Sequence, residues 1–541
     1  MSRRRPDWLL VVAVLAVGAA TRLSSLYASP LPFNTDGFVF VSSAERILAT
    51  DGVALAGPAA PAPDEYLFAT LLAVVSEVTG VAPLYVAQAL VACLATVPSL
   101  VAMAYARSLA ADFSAPVRRG AAAFAGLALA VEGPYLFRSM SVNAEVFGLA
   151  VVACLALALG RTLRTERRRW LALTAALAVT VPVVHSLSAF VAGLVGTTLV
   201  ALGVARRPTT RRLAYGALGT AGFWLLTFGY YAAADLPKAG SVSASLGLFL
   251  AWVVLVVALA RWLDTASAAV RRGAAVAVFG AGVAVFVLNA AVAVYPGTAT
   301  TSSLLLTLTL PLVVVLAAAG VGLSRLASDR GLAMFALVLG PLAAVGFALT
   351  AGRTPVYEDL VVRSVTFVHP GLVVAAAVGL AVLVRRRPAF GRVAAAAAVV
   401  AVLVSAPLPF AGLAAFPFEP VTDPAELDAA TFATDRVDGG WTSDDHVALV
   451  AYNYRGAGVT DLPTTAWLRG DAPPPDCPVV ARSSWKTVGA PGPTEPLDIS
   501  RSAYDEWVMT GDVVYAGGAD SSIVLRWEPG RCDAGLPGGG P

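Results

Sequence analysis

From residue 8 to about residue 411 the chain is written in long apolar runs separated by short polar breaks, and beyond residue 412 that pattern stops. A membrane-crossing helix needs about 20 apolar residues. Runs of that kind lie at 8–27, 83–106, 119–136, 143–160, 170–187, 189–205, 213–233, 244–262, 274–295, 303–324, 331–351, 365–384 and 391–411. The pattern predicts an all-α polytopic membrane domain of about 13 transmembrane helices over residues 1–412, followed by a small α/β domain over 413–541. Segments 36–50 and 65–79 are amphipathic and predict short helices along the membrane surface, separated by Pro58, Pro61 and Pro63. In the tail, Asp423, Pro424 and Glu426 have the order of a helix start, with a capping carboxylate, a proline at the first position and a glutamate at the third. Strands are predicted at 447–452, 478–481, 512–515 and 522–527, with loops at 472–478 and 490–496 and a disordered Gly/Pro end.

The arginines orient this arrangement. They cluster at Arg3–Arg5, Arg118–Arg119, Arg161–Arg169, Arg206–Arg212, Arg271–Arg272, Arg325 with Arg330, and Arg385–Arg392. All clusters fall on one side if the N-terminus is cytoplasmic, because cytoplasmic loops carry the excess of basic residues. An odd number of spans then puts the C-terminal domain outside the cell. The run after Arg3–Arg5 has the look of a signal peptide but reads as a retained first helix, since no small-residue cleavage site ends it.

Charge is scarce and uneven. Charged residues make up 13% of the 541-residue chain and hydrophobic ones 57%, whereas soluble proteins carry about a quarter charged. From Glu419 onward there are 19 acidic and 8 basic residues, a net of −11 against +3 for the whole chain. The membrane part is therefore basic, and its arginines carry topology rather than a nucleic-acid signal. Lysine occurs only at 238 and 486. An acidic, lysine-poor outer domain suits high salt and points to a haloarchaeal source. A GC-rich genome is the alternative reading of the same bias. Cys93 and Cys154 lie in apolar runs. Cys477 and Cys532 are positioned either as a disulfide of an external domain or as free thiols.

Ionisable groups near a membrane are costly and invite a functional reading. Asp36 follows the first span beside apolar neighbours, where partial desolvation raises a carboxyl pKa toward that of a general base. The alternative role is N-cap of the following helix. Arg22, Arg138 and Arg363 belong to one membrane face and could together hold a lipid phosphate or pyrophosphate, or each could snorkel to the interface. His185 and His369 stand at the ends of apolar runs. There a histidine serves equally to bind phosphate, shuttle protons, ligate a metal or cap a helix. No metal-ligand spacing and no Gly-rich phosphate loop occurs. No cofactor is implied, and a divalent metal stays open.

The order of these features resembles the GT-C superfamily of polytopic glycosyltransferases, which use sugars carried on polyprenyl phosphates. Ala19-Ala20-Thr21-Arg22-Leu23 followed by Asp36 is similar to the family's first helix and first-loop acid. Tyr66 to Gly80, then Val81-Ala82-Pro83-Leu84-Tyr85, resembles its leucine-rich helix, turn and second span. Arg138 to Glu145 resembles the loop before the fourth span, Pro182-Val183-Val184-His185-Ser186 the histidine ending the fifth, and Arg363 before His369-Pro370-Gly371 the arginine entering a late span. The resemblance implies that Asp36 is the catalytic base or lies beside the acceptor. It implies that Arg363, with Arg138 and His185, binds the lipid phosphate; Arg22, Glu132, Glu358 and His369 complete the candidate set. The implied reaction is an inverting hexosyl transfer from a dolichyl-phosphate-type carrier to a glycan or protein acceptor on the outer face. Oligosaccharyltransferase catalytic subunits share the expected layout, but their Trp-Trp-Asp motif is missing here, and Gly440-Trp441-Thr442-Ser443-Asp444-Asp445 is a poor substitute. Glu358 could stand for their late-loop glutamate. A transporter is the rival class, yet no halves repeat and the ionisable residues sit at span ends rather than mid-span.

Overall fold

The computed structural model describes residues 8–50, 52, 61–236, 242, 244–437, 440–456, 458–492, 494–517, 523–526 and 532. Arg3–Arg5, Pro58 and the Gly/Pro end lie outside the described residues. The helices up to residue 405 are α1 (Trp8–Leu23), α2 (Gly37–Ala49), α3 (Tyr66–Thr79), α4 (Pro83–Ala95), α5 (Val97–Leu109), α6 (Ala115–Val131), α7 (Gly133–Met140), α8 (Ala144–Thr165), α9 (Arg168–Thr180), α10 (Ser186–Arg206), α11 (Thr210–Ala233), α12 (Leu246–Thr265), α13 (Ala268–Leu288), α14 (Ser303–Thr309), α15 (Val313–Leu326), α16 (Leu332–Ala351), α17 (Pro355–Thr366), α18 (His369–Arg386) and α19 (Pro388–Ser405).

Among the described residues ten helical stretches are long and apolar enough to cross a membrane, and the pair α6–α7, bent by 57°, makes an eleventh. The chain is a multi-pass membrane protein. The two other expected spans are helical but do not reach that standard. The segment 170–187 becomes α9, 13 residues long, and a 3-10 turn at Val181–Val183, because Pro182 interrupts the run. The segment 213–233 becomes α11, 24 residues long but diluted by glycines and threonines. The amphipathic segments form α2 and α3 as expected, and Phe40, Val41, Phe68 and Leu72 pack with α4 in one buried cluster. Small residues set the tightest crossing: α15 and α18 touch at Gly322 and Gly379, where a Cβ on either would strike the carbonyl of Ala375 or Ala318. Such contacts are how helices associate where lipid offers no hydrophobic drive.

The C-terminal region is built from α20 (Pro424–Arg436), β1 (Trp441–Thr442), α21 (Asp445–Arg455), β2 (Val459–Thr460), α22 (Leu462–Leu468), β3 (Val479–Ala481), α23 (Arg501–Met509), β4 (Asp512–Ala516) and β5 (Ile523–Arg526). The strands form one mixed sheet in the order β2-β1-β3-β5-β4. Its parallel half is β2-β1-β3 and its antiparallel half β3-β5-β4. The start of α20 is the expected capping box of Asp423 and Glu426. The strand expected at 447–452 is instead the helix α21. Its apolar alternation is overruled by signals at both ends, with the Asp444 carboxylate capping Val447 N–H and Gly456 closing the helix in the left-handed conformation. Cys477 and Cys532 form a disulfide.

This region is fastened to the first loop. Asn34 N–H donates to the carbonyl of Pro420 at 2.7 Å, Asn453 Nδ2 to the carbonyl of Thr35 at 3.1 Å, and the Tyr454 hydroxyl to Glu45 Oε1 at 3.2 Å. Leu31 and Phe38 bury against Leu427 and Val450, and Phe33 against Leu136, Phe137 and Met140 with Phe416 beside them.

Candidate active site

The bend between α6 and α7 organises this end of the bundle. Pro134 has no N–H, so the Ala130 carbonyl four residues before it loses its helical partner. Arg22 supplies the replacement. Its Nη1 donates to that carbonyl at 2.6 Å and its Nη2 to Ser139 Oγ at 2.7 Å, while Thr21 Oγ1 adds a bond to the same carbonyl at 3.0 Å. Ser405 Oγ accepts from Gly133 N–H at 2.9 Å. Arg22 is wholly buried and faces inward. Both terminal nitrogens are engaged at the bend, while Nε is buried without a partner, and no hydrogen bond or ion pair joins Arg22 to the Arg138–Glu145–Arg363 cluster among the described residues.

The other two arginines do converge. Glu145, in the first turn of α8 and buried, offers one oxygen to both: Oε2 accepts from Arg363 Nε at 2.7 Å and from Arg138 Nη2 at 3.1 Å. Arg363 also donates through Nη1 to Asp359 at 3.2 Å and through Nη2 to His185 Nε2 at 2.8 Å. A guanidinium only donates, so Nε2 accepts and the imidazole is neutral with its proton on Nδ1. Nδ1–H then donates to Ser188 Oγ at 2.9 Å, in preference to the looser 3.4 Å approach of Ser188 N–H to the same nitrogen. This arrangement depends on Gly148, because any Cβ there would strike Ser188 Oγ and prevent α8 and α10 from closing on each other. Burial pulls the Arg363 pKa down, but the charges of Glu145 and then Asp359 outweigh it and hold the guanidinium above its ordinary value. Arg138 Nε and Glu145 Oε1 are buried without a protein partner, as expected where a polar ligand or water completes the set.

A second pair lies at the bend itself. His369, the first residue of α18, approaches Glu132 Oε1 through Nδ1 at 3.0 Å, and its ring lies 6.0 Å from that of Tyr135. Glu132 Oε2 and the Tyr135 hydroxyl are buried without partners. Glu358 belongs to neither group. It sits half-buried on α17 with Thr298 as its hydrogen-bond partner, and burial, then Asp359, raises its pKa.

Asp36 occupies the N-cap position of α2 but makes no capping hydrogen bond, and its side chain is exposed rather than half-buried as expected. The backbone around it is fixed. Asn34 has a left-handed φ of 84°, which asparagine tolerates. The Phe33 carbonyl accepts from Val142 N–H at 2.9 Å, joining this turn to the link between Arg138 and Glu145. No side-chain bond joins Asp36 to either arginine.

The candidate set expected from the sequence thus divides. Arg138, His185 and Arg363 come together, Glu132 and His369 form a separate pair, and Arg22, Glu358 and Asp36 stand apart. Glu145, Asp359 and Ser188 were not in that set. Glu145 was visible as an acidic residue seven positions after Arg138, but nothing in the sequence shows a partner 218 residues away. Gln88 was also missed. It donates to the carbonyls of Arg22 and Met140 and accepts from Phe33 N–H, tying the first loop to α1 and α7. An amide inside the apolar run 83–106 was its only signal. Among the described residues no three His, Cys, Asp or Glu side chains are grouped to hold a metal ion.

No protein-family model and no curated protein matches the chain. Solved structures do. The oligosaccharyltransferase of Archaeoglobus fulgidus aligns with a TM-score of 0.50 at 13% identity, over 84% of this chain and 65% of its own. The chain therefore spans about two thirds (65%) of the length of that protein. ArnT from Cupriavidus metallidurans bound to undecaprenyl phosphate aligns with a TM-score of 0.36 at 14% identity, over 95% of this chain and 97% of that one. Arabinofuranosyltransferase AftD from Mycobacteria aligns with a TM-score of 0.43 at 14% identity, over 98% and 42%. The chain has the fold of the archaeal oligosaccharyltransferase.

Proposed function

We propose that this protein is a membrane glycosyltransferase that moves a sugar from a polyprenyl-phosphate carrier of the dolichyl type to an acceptor hydroxyl at the outer face of the membrane. The observation that carries the reading is the convergence of Arg138 and Arg363 on Glu145, with His185 on the far side of Arg363. Glu145 acts as the holder of the two guanidinium groups. The lipid phosphate takes Arg138 Nε and displaces the exposed Asp359 from Arg363 Nη1. Asp36 accepts the acceptor's proton as its oxygen attacks the anomeric carbon. The bond from that carbon to the phosphate oxygen breaks, and the leaving phosphate stays paired with the arginines. One base suffices because the leaving group is already a phosphate. Glu132, at the bend between α6 and α7, and His369, at the start of α18, form the neighbouring pair.

The orientation is supported from both ends. The arginine clusters mark the cytoplasmic side, and the Cys477–Cys532 disulfide suits an oxidising compartment for the C-terminal domain, residues 413–541. A second reading, transfer to a protein side chain in the manner of an oligosaccharyltransferase, is favoured by the fold likeness to the Archaeoglobus fulgidus enzyme. Comparison of surface glycans and glycopeptides from cells with and without the gene tests both. Loss of one sugar from a glycan supports the first reading, loss of whole glycans from peptides supports the second, and unchanged glycans and glycopeptides contradict both.

A further inference from the structure

The arginine-rich end of the bundle, opposite the candidate active site, contains a cavity that the proposed reaction does not use. It lies between α5, α8, α10 and the turn before α16, and Arg164, Arg206, Arg207, Arg212 and Arg330 line it. Three of the five are neutralised. Arg206 pairs with Asp264 and Asp329, Arg207 with Asp329, and Arg212 with Glu166. Arg164 and Arg330 form no hydrogen bond or ion pair with any described residue. Arg164 is half-buried, and its electrostatic neighbours include Arg161 and Arg330 as well as Tyr105 and Asp329.

Arginines that only mark topology lie on the surface, each in water. Here the half-buried Arg164 and the exposed Arg330 line one recess with further guanidinium groups around them. The one carboxylate among the lining residues, Asp329, is already shared by Arg206 and Arg207, so like charges so placed repel unless a further anion joins them. The same cavity has apolar lining at Leu163, Leu199 and Leu332, together with Gly160 and Gly203. A phosphate oxygen cluster satisfies the unpaired guanidinium groups, and a hydrocarbon chain attached to it meets the apolar wall. Basic pockets between transmembrane helices on the cytoplasmic side bind anionic headgroups in this way.

We propose that this cavity binds the phosphate of an anionic membrane lipid, at a site separate from the reaction centre. The same chemistry would take free phosphate, and the apolar wall is what favours the lipid. Full-length protein in a neutral detergent is titrated with short-chain phosphatidic acid, with phosphatidylcholine of the same chains, and with inorganic phosphate, retention being read by native mass spectrometry. One phosphatidic acid should be retained and displaced by neither of the other two at equal concentration. Arg164→Gln with Arg330→Gln should weaken retention about 30-fold, the worth of two cations at an anionic headgroup. Arg385→Gln with Arg386→Gln, at the same end but outside the cavity, should leave it unchanged. Should the first double variant not fold, Arg330→Gln alone, at an exposed position, should still weaken retention about five-fold. Undiminished retention in the cavity variants, equal loss in the control pair, or competition by inorganic phosphate at equal concentration would overturn the lipid site.

Discussion

Arg363 donates its Nε–H to Glu145 Oε2 at 2.7 Å across 218 residues of sequence, and this bond draws α17 onto the start of α8. The same oxygen receives Arg138, so one buried carboxylate holds two cations. Glu145→Gln removes the charge that both depend on. The expected cost is about 3–5 kcal/mol, that of stripping one partner from a buried ion pair, seen as a lower Tm of the purified protein. Glu145→Asp should recover part of it. A Glu145→Gln variant as stable as wild type would mean that the arginines find other partners.

Arg22 separates two interpretations by a single substitution. As the donor that satisfies the carbonyl freed by Pro134, it is a structural residue. Arg22→Met should lower stability by about 1–3 kcal/mol, the cost of leaving buried polar groups unpaired, with donor affinity unchanged in the protein that folds. Unaltered stability with weakened binding of a polyprenyl phosphate would return Arg22 to the phosphate site.

The C-terminal region has a buried charge network whose pH dependence has a definite sign. Arg482 meets Glu419 at 2.7 Å, Glu426 at 2.5 Å and Asp444 at 3.4 Å, and Trp485 Nε1 donates to Asp444 at 2.7 Å. His446 lies 3.5 Å from Glu426 and 3.2 Å from Thr422 Oγ1. Burial lowers the His446 pKa, but the hydrogen bond and charge of Glu426 outweigh it, and the imidazole sits above 6.5. Its contribution is complete below 6.5 and lost as pH rises through the higher folded value. Asp445 is pushed up to about 6 by burial, then by Asp461 and Asp444. Its protonated form is favoured in the folded state, so that contribution too is lost as pH rises from 3.8 to about 6. Thermal melts followed by tryptophan fluorescence should therefore show Asp445→Asn gaining stability relative to wild type as pH rises to 7. His446→Gln should flatten the decline above 6.5. Parallel curves for all three proteins would remove both groups from the account.

The disulfide closes a separation of 55 residues. In the chain-entropy treatment a loop of that length contributes roughly 4 kcal/mol. Cys477→Ser should lower the melting temperature of the C-terminal region, and protein taken from cells under thiol-blocking conditions should carry both cysteines oxidised. Free thiols in that protein would contradict an external C-terminal domain.

Much of this architecture is legible in the sequence because the signals are local. Apolar runs of helical length, arginine clusters and the Asp423–Glu426 capping box each act within a few residues. The strand expected at 447–452 became α21 because end caps at Asp444 and Gly456 outweigh alternation. The site was harder to read. Position along the chain identified Arg138, His185 and Arg363 as candidates, but not Glu145 as the group that joins them, nor the inward turn of Arg22. Both follow from where distant helices meet, at Gly148 against Ser188 and at the carbonyl released by Pro134.

Asp36 carries the chemical claim. Its carboxylate is exposed, uncommitted to capping, and mounted on a turn that Pro420 and Asn453 hold through Asn34 and Thr35. Asp36→Asn preserves shape and removes charge and proton affinity, and folding does not depend on a bond this side chain does not make. The decisive measurement is transfer from a polyprenyl-phosphate-linked sugar by purified wild-type and Asp36→Asn proteins of equal thermal stability. The expected result is a fall of about two to four orders of magnitude in the variant, the usual worth of a general base. Undiminished transfer by a folded Asp36→Asn protein would contradict it.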